Sequence, residues 1–194
     1  MTKYWKKRLE LFGPDKAFLP MTLGGLFSDS QLGLQAGLST VLPHDIVKDP
    51  DERSVILYDP SRQDNSSRES RLAMVKALWY CIHAALLDNE ITQRKGMIGL
   101  VCPRNAGLRE FDPRVDKLVM ESVQGILPIR ISCVVVCHPP AVFGFVWSIV
   151  QLFLTDHIRK RVQIFRGTDD QVVQQLHARL CGFDTQDDTR TDWG

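Results

Sequence analysis

One uncharged stretch towards the C-terminal end most restricts how this chain can fold. From Ile131 to Leu154 there is no Asp, Glu, Lys or Arg, and the double proline Pro139-Pro140 divides the stretch in two. The first part, Ile131–Cys137, is rich in β-branched residues and predicts a buried strand. The second part, Ala141–Leu154, would be apolar on nearly every side of a helix. Such a helix must be buried in the core, lie in a membrane, or cover an apolar ligand.

The same stretch is long enough to cross a bilayer as one helix, so a transmembrane segment is the first alternative. Its residues argue against that interpretation. Val134-Val135-Val136 favours a strand, His138 is polar, and Pro139-Pro140 would interrupt a helix. The two remaining pieces are each too short to span a membrane. We therefore expect a strand followed by a separate helix.

The composition is that of an ordinary globular domain. The 194 residues are enough to bury a core of their own, and the net charge of +1 provides no general attraction to nucleic acid or to membranes. The five cysteines form no C-x-x-C pair, so we expect no disulfide framework and a reducing compartment. The basic N-terminal residues are not followed by an apolar run, so no secretory signal is expected.

Short apolar runs alternate with amphipathic patterns along the rest of the chain. Strands are predicted at Val55–Tyr58, Met97–Val101 and Val162–Phe165, and helices at Ser70–Asp88, Pro113–Leu127 and Asp169–Leu180. This alternation favours an α/β fold with a small, mostly parallel sheet flanked by helices. Before residue 50, repeated Gly and Pro leave room only for short helices, for example Tyr4–Leu11 and Ser30–Gly37.

The residues around the double proline resemble the CRAL-TRIO (Sec14-like) lipid-binding domain family. In that family a strand ends in a proline turn, and an apolar gate helix of the pattern PxxFxxxWxxxxxFL follows. Pro140, Phe143, Trp147 and Phe153-Leu154 occupy these positions here. The next residues, Thr155–Arg161, are similar to the family's short T-x-x-x-R-K/R helix.

Weaker similarities extend the resemblance over most of the chain. Arg53–Pro60 resembles the family's opening strand, and Trp193-Gly194 resembles its closing loop. We therefore expect a helical N-terminal lead-in over residues 1–40 and a CRAL-TRIO-like domain over residues 41–194. The fold that the resemblance implies is an α/β domain whose sheet forms the floor beneath the gate helix.

The resemblance implies a function in binding one hydrophobic ligand or lipid under the gate helix, and in transferring or presenting it at membranes. Candidate ligand contacts lie on a wall helix, on the strand before the double proline and on the gate: Trp79, Ile82, Leu86, Ile131, Cys133, Val135, Cys137, Val142, Phe143, Val146, Trp147, Val150 and Phe153. Because successive strand residues point to opposite faces, the four strand residues should share one side of the sheet. The sequence does not indicate which side faces the ligand.

The basic residues after the gate are candidates for contact with a membrane. Arg159, Lys160 and Arg161 would meet anionic headgroups, although cations at the end of a helix also have a purely structural explanation. Family members that bind phosphatidylinositol carry a Glu and a Lys where this chain has Ile129 and Arg161. That argues against phosphatidylinositol bound through those contacts. The remaining candidate ligands are a sterol-like, tocopherol-like or retinoid-like molecule, or a diacyl lipid with another headgroup.

No arrangement of residues predicts an enzyme. Cys137 and His138 are neighbours on or beside a strand and would point apart, which does not suit a nucleophile and its base. Metal-ligand spacings and the G-x-S-x-G elbow do not occur. We expect no cofactor, no metal and no nucleic-acid partner. The expected protein is a cytoplasmic monomer that associates transiently with membranes.

Two alternatives stay open. The gate could be an ordinary core helix in a ligand-free scaffold of the same fold, which would serve as a protein or membrane interaction module. An enzyme that acts on a lipophilic substrate is the other.

Overall fold

A five-stranded sheet forms the centre of the fold. The computed structural model describes residues 1–22, 37–44, 46, 49–87 and 89–181. The strands are β1 (Ser39–Leu42), β2 (Val55–Tyr58), β3 (Met97–Val101), β4 (Ile131–Cys137) and β5 (Val162–Phe165). They lie in sequence order, with β1 antiparallel to β2 and the other neighbours parallel. The predicted α/β class and mostly parallel sheet are confirmed, whereas the short edge strand β1 was not predicted.

Helices connect the strands and cover both faces of the sheet. They are α1 (Lys3–Phe12), α2 (Arg68–Leu86), α3 (Glu90–Lys95), α4 (Pro113–Glu121), α5 (Phe143–Val150), α6 (Asp156–Arg159) and α7 (Asp169–Cys181). Side-chain caps fix several N-termini: Ser67 accepts from the N–H of Ser70 at 2.9 Å and Asn89 from that of Thr92 at 2.8 Å. The predicted helix at Ser30–Gly37 and the closing loop Trp193-Gly194 fall outside the described residues, except for Gly37.

The long uncharged stretch folds as two separate elements, β4 and α5, on either side of the double proline. A 3-10 turn, Gln151–Phe153, extends α5. Among the helices of the described residues, none combines the length and the apolar composition that crossing a bilayer requires.

The helix predicted at Pro113–Leu127 is α-helical only as far as Glu121. A π turn, Ser122–Ile126, forms the rest of it.

The two faces of the sheet are covered differently. On one face, α1, α2 and α4 form the larger hydrophobic cluster around the fully buried Trp79 and Val75. On the other face, α7 packs Val172 and Leu180 against β3 and β4. The lead-in helix α1 therefore shares its core with the rest of the chain.

A β-bulge near the start of β4 changes which residues share a face. Met97 pairs with Ile131 but Ile98 pairs with Cys133, so Ser132 is an extra residue in β4. As a result Ile131 packs towards the cluster of α2 and α4, whereas Cys133 packs towards α7. The prediction that Ile131 shares a face with Cys133, Val135 and Cys137 is therefore wrong. Strict alternation fails where one strand carries an extra residue.

A buried ion pair anchors this bulge. Arg53 and Asp49 are 3% and 5% exposed, and the guanidinium donates to both carboxylate oxygens of Asp49, at 2.9 and 2.7 Å. A third guanidinium nitrogen donates to the hydroxyl of Ser132 at 2.9 Å. The start of β2 is thus bound to the extra residue of β4, and the buried charges are compensated.

Replacing Arg53 should destabilise the fold strongly. Arg53→Met leaves the Asp49 carboxylate buried without its guanidinium partner, so the free energy of unfolding should fall by about 3–5 kcal/mol in urea denaturation. The matched control is Arg94→Met, since Arg94 forms a surface pair with Glu90 in which the side chains are 78% and 80% exposed. That substitution should cost less than about 1 kcal/mol. Equal losses in the two variants would contradict the anchoring role.

Candidate functional site

An apolar cavity of about 230 Å³ lies against the face of the sheet opposite α7. Residues of the sheet, of α2, of α4 and the π turn after it, and of the segment after the double proline line it: Ile56, Tyr58, Met97, Gly99, Val101, Ile131, Val134, Val136, Val162, Leu78, Ile82, Val119, Met120, Val123, Val142, Phe143, Val146, Trp147, Val150 and Leu154. One water needs only about 10–15 Å³ of such space, so the cavity is roughly fifteen times larger and has room for an organic molecule.

The segment after the double proline, residues 142–154, forms one side of the cavity and is named here the lid segment. Its cavity-lining residues recur at helical spacing, at Val142, Val146 and Val150, with Phe143 and Trp147 beside them. The rings of Phe143 and Trp147 stack with centroids 6.0 Å apart. The outer side of the lid segment is also apolar.

Two large side chains on that outer side face solvent. Phe145 is 59% exposed and Leu152 is 76% exposed. A helix that only packed on the sheet would need one apolar stripe. The all-round apolar sequence is therefore divided between a cavity and the protein surface.

Both ends of the lid segment carry a distinct structural feature. Before it, His138 adopts the left-handed φ of 52°, which is uncommon for a residue with a side chain, and the double proline follows. After it, the side-chain amide of Gln124 donates to the carbonyl of Phe153 at 2.8 Å and accepts from the N–H of Thr155 at 2.5 Å. Gln124 lies in the π turn, so this irregular turn ties α4 to the end of the lid segment.

A small polar group interrupts the apolar lining. Tyr58, Gln63, Glu110 and Asp116 all line the cavity, and the amide nitrogen of Gln63 donates to the hydroxyl of Tyr58 at 2.5 Å. Burial, and secondarily the charge of Asp112, raises the pKa of Asp116 to about 7. Burial also raises the pKa of Tyr58, with a further contribution from Asp116. Nothing in the sequence singled out these residues.

The structure places seven of the thirteen predicted contact residues in the cavity wall: Ile82, Ile131, Val142, Phe143, Val146, Trp147 and Val150. Trp79 is instead fully buried in the core, where its N–H donates to the hydroxyl of Ser122 at 3.0 Å and its ring stacks on Tyr4. Leu86 packs at the edge of the same cluster. Phe153 lies outside the lining, although its backbone holds the end of the lid segment.

The three remaining strand residues lie on the far side of the sheet. Cys133, Val135 and Cys137 pack against α7, away from the cavity. Both cysteines are free thiols, and burial raises the pKa of Cys137 to about 11. Their neighbours Val134 and Val136 line the cavity in their place. Strand alternation alone does not indicate which of the two faces is the floor of the cavity.

The predicted basic residues differ in whether their side chains already bond to other groups of the protein. Arg159 pairs with Asp156 one turn away, and the guanidinium of Arg161 donates to the carbonyl of Ile131. Lys160 is exposed, as is Arg130. Arg130 and His157 line a second groove, of about 670 Å³, beside α1. Desolvation, and then the charges of Arg161, Arg130 and Lys160, lowers the pKa of His157, so these cations lie near one another.

The sequence and the fold were compared with those of known proteins. A profile of the CRAL/TRIO domain matches residues 45–180. Tyrosine-protein phosphatase non-receptor type 9 of Mus musculus is 28% identical over 130 residues, which are 67% of this chain and 21% of that protein. Alpha-tocopherol transfer protein-like of Homo sapiens is 29% identical over 150 residues, which are 76% of this chain and 41% of that protein.

The fold is also similar to a solved structure. The crystal structure of Sfh5 superposes with a TM-score of 0.61 and 13% sequence identity, over 82% of this chain and 56% of that chain. At this identity the likeness concerns the fold alone. The chain spans less than half of the length of the curated relatives it matches.

The carboxyl group of Asp116 should make stability depend on pH. Since its pKa in the folded protein is about 7, the folded state keeps a proton that the unfolded chain loses from about pH 4 upwards. The contribution of Asp116 to the free energy of unfolding should therefore fall as pH rises from 4 to 7. Asp116→Asn removes this titration, so in urea unfolding its advantage over the unsubstituted protein should grow across that interval and stay constant above it. A difference that does not change with pH would contradict the assignment.

Proposed function

This chain belongs to the CRAL/TRIO domain family, and on that basis we propose that it binds one lipophilic molecule in the cavity beside the lid segment and transfers or presents it at membranes. The observation that carries the proposal is the double apolarity of the lid segment. One side lines the cavity with Val146, Trp147 and Val150, and the other exposes Phe145 and Leu152.

The cavity supplies the binding energy in this proposal. Burial of apolar ligand surface contributes about 25 cal/mol per Å², and the lining from β4, α4 and the lid segment is almost entirely hydrocarbon. One relative is named alpha-tocopherol transfer protein-like, and tocopherol is a lipophile, which agrees with a ligand of this class. The tocopherol itself is one member of the class.

The lid segment provides the route in and out. Its outer side chains would enter the interfacial region of a bilayer when it opens, and its inner side chains would then meet lipid instead of ligand. A polar residue on either side would have to be desolvated during this exchange. Gln124 and the double proline would hold the two ends while the helix between them moves.

Exposed cations beside the lid segment would bring it to the membrane. Lys160 and Arg130 are exposed members of this cluster, and a near-surface cation contributes about 1 kcal/mol to binding of an anionic bilayer. The protein would act as a cytoplasmic monomer that meets membranes transiently. Similarity to the tyrosine-protein phosphatase spans only 21% of that protein, so we propose no phosphatase activity and no covalent step.

Charges placed on the two sides of the lid segment should have different effects. Trp147→Asp puts a carboxylate in the cavity wall and should lower lipid uptake by at least about tenfold, because that charge would be desolvated by a bound lipid. Phe145→Asp, on the exposed side, should leave uptake unchanged but slow transfer between vesicles. Native mass spectrometry after incubation with a lipid extract measures uptake, and circular dichroism checks the fold.

The outcomes separate the alternatives. An unfolded Trp147→Asp variant with a folded Phe145→Asp variant would favour an ordinary core helix. An unsubstituted protein that takes up no lipid under any condition would instead favour a scaffold that acts as an interaction module.

Reversing the exposed cations should weaken membrane binding. The double variant Lys160→Glu, Arg130→Glu should reduce co-sedimentation with vesicles that contain phosphatidylserine by roughly tenfold or more, at about 1 kcal/mol for each charge. Arg94→Glu, on α3 and outside the cluster, is the matched control. Arg159 and Arg161 are kept because their side chains bond within the protein. Unchanged co-sedimentation of the double variant would remove the cluster from the mechanism.

A further inference from the structure

We propose that Cys102 and Cys137 form a thiol pair that a peroxide oxidises to a reversible disulfide bond. The two residues stand at the ends of neighbouring strands: Cys102 directly follows β3, and Cys137 is the last residue of β4. Both are free thiols. The proposal goes beyond the proposed function and does not depend on it, because the pair lies on the face of the sheet that α7 covers, opposite the cavity.

The register of the two strands places the cysteines opposite each other. Val101 pairs with Val136 in the parallel ladder, so the next residues along the two strands are Cys102 and Cys137. The N–H of Cys102 donates to the carbonyl of Tyr58 at 2.9 Å, so the ladder with β2 continues through this residue. Neighbouring strands lie about 4.8 Å apart. Disulfide bonds span Cα distances of roughly 4.4–6.8 Å, so the spacing of the two strands suits a disulfide.

Both side chains point to the α7 face of the sheet. Cys137 packs in the cluster that α7 forms with the sheet, and Leu100 packs against the same cluster. Val101 and Pro103 line the cavity on the opposite face. Because successive residues of an extended chain alternate, Cys102 points to the α7 face. Burial, and then the charge of Cys102, raises the pKa of Cys137 to about 11, which agrees with adjacent thiols.

The first residue of α7, Asp169, holds the two strand ends together. Two guanidinium nitrogens of Arg104 donate to its carboxylate, and Nε2 of His138 lies 3.4 Å from the same group. Arg104 follows Cys102 by two residues, and His138 follows Cys137 directly. Oxidation would therefore join two thiols that the fold already keeps near each other, which raises their effective concentration.

The difference in exposure between the two thiols sets the order of the steps. Cys102 is half-buried, whereas Cys137 is 6% exposed. A peroxide oxidises the thiolate of Cys102 to a sulfenic acid, in which an S–O bond forms, the O–O bond breaks and one water leaves. The thiol of Cys137 then attacks that sulfur, and the second oxygen leaves as water. The two thiols lose two electrons and two protons, and one hydrogen peroxide becomes two waters.

A metal site is the competing explanation for two neighbouring thiols. Zinc held only by protein side chains takes four ligands. Over the described ranges of the chain, His, Cys, Asp and Glu residues form no group of three that could hold a metal ion. In a reducing compartment the pair would rest as two thiols, and the disulfide would form only transiently.

Peptide mapping after oxidation tests the proposal. The purified protein is treated with hydrogen peroxide at pH 7.5, the remaining thiols are blocked with iodoacetamide, and the chain is digested with trypsin. We expect the tryptic peptides of residues 96–104 and 131–159 to be joined by one disulfide. Fragment ions should show that the bond links Cys102 to Cys137 and not to Cys133. Dithiothreitol should release the two peptides.

Variants separate the two steps of the oxidation. Cys137→Ser should stop at the sulfenic acid of Cys102, which dimedone labels, and should give no joined peptide. Cys102→Ser should lose both the joined peptide and the label. Cys81→Ser, at a buried thiol in the core cluster on the other face, is the matched control and should leave the yield of joined peptide unchanged. Circular dichroism checks each fold, and Cys137→Val replaces Cys137→Ser where the latter is unfolded.

The site of the bond decides between the outcomes. A joined peptide that links Cys102 to Cys137, and that is lost in both variants of the pair, would support the proposal. A disulfide between other cysteines, oxidation of Cys102 beyond the sulfenic acid without a joined peptide, or no reaction of either thiol would each overturn it.

Discussion

The unequal covering of the two faces of β4 is the constraint on which the rest of the structure depends. Cys133, Val135 and Cys137 are sealed by α7 in a close-packed cluster. Val134 and Val136 face a cavity instead, and the lid segment completes its wall. Close packing is the normal condition of a protein interior, because atoms beside a void lose dispersion contacts. The cavity of about 230 Å³ beside Val134 and Val136 is therefore the feature on which the proposed ligand binding rests.

The floor and the lid differ in how firmly they are held. Below the cavity, the pair of Arg53 and Asp49 is bonded to the bulge residue Ser132, and both charges are buried. The lid segment follows two prolines. At its other end the side chain of Gln124 bonds to the backbone of Phe153 and Thr155. Its outer side chains contact solvent. This contrast is what a carrier would need, since a rigid floor preserves the shape of the cavity while the cover exchanges the ligand.

The cavity wall combines a hydrocarbon lining with a few polar side chains. A purely hydrocarbon lining would bind any lipophile in proportion to buried area. Two acceptor oxygens, Oδ2 of Asp116 and Oε1 of Gln63, are buried and have no hydrogen-bond partner within the described residues, and each such acceptor costs about 1–3 kcal/mol of stability. Costs of this kind beside a cavity are characteristic of functional sites.

Local patterns in the sequence determined the α/β class, the bounds of β2 to β5 and the all-round apolar character of the lid segment. Alternation along a strand, helical spacing and the double proline are properties of neighbouring residues, so they can be read without the fold. Tertiary structure alone decided which face of β4 became the floor, because an extra residue at Ser132 alters the alternation only when β4 pairs with β3. It also decided that Trp79 joins the core with Tyr4, and that Tyr58, Gln63 and Asp116 meet around one cavity. Those contacts join distant parts of the chain, and no local pattern encodes which distant residues will meet.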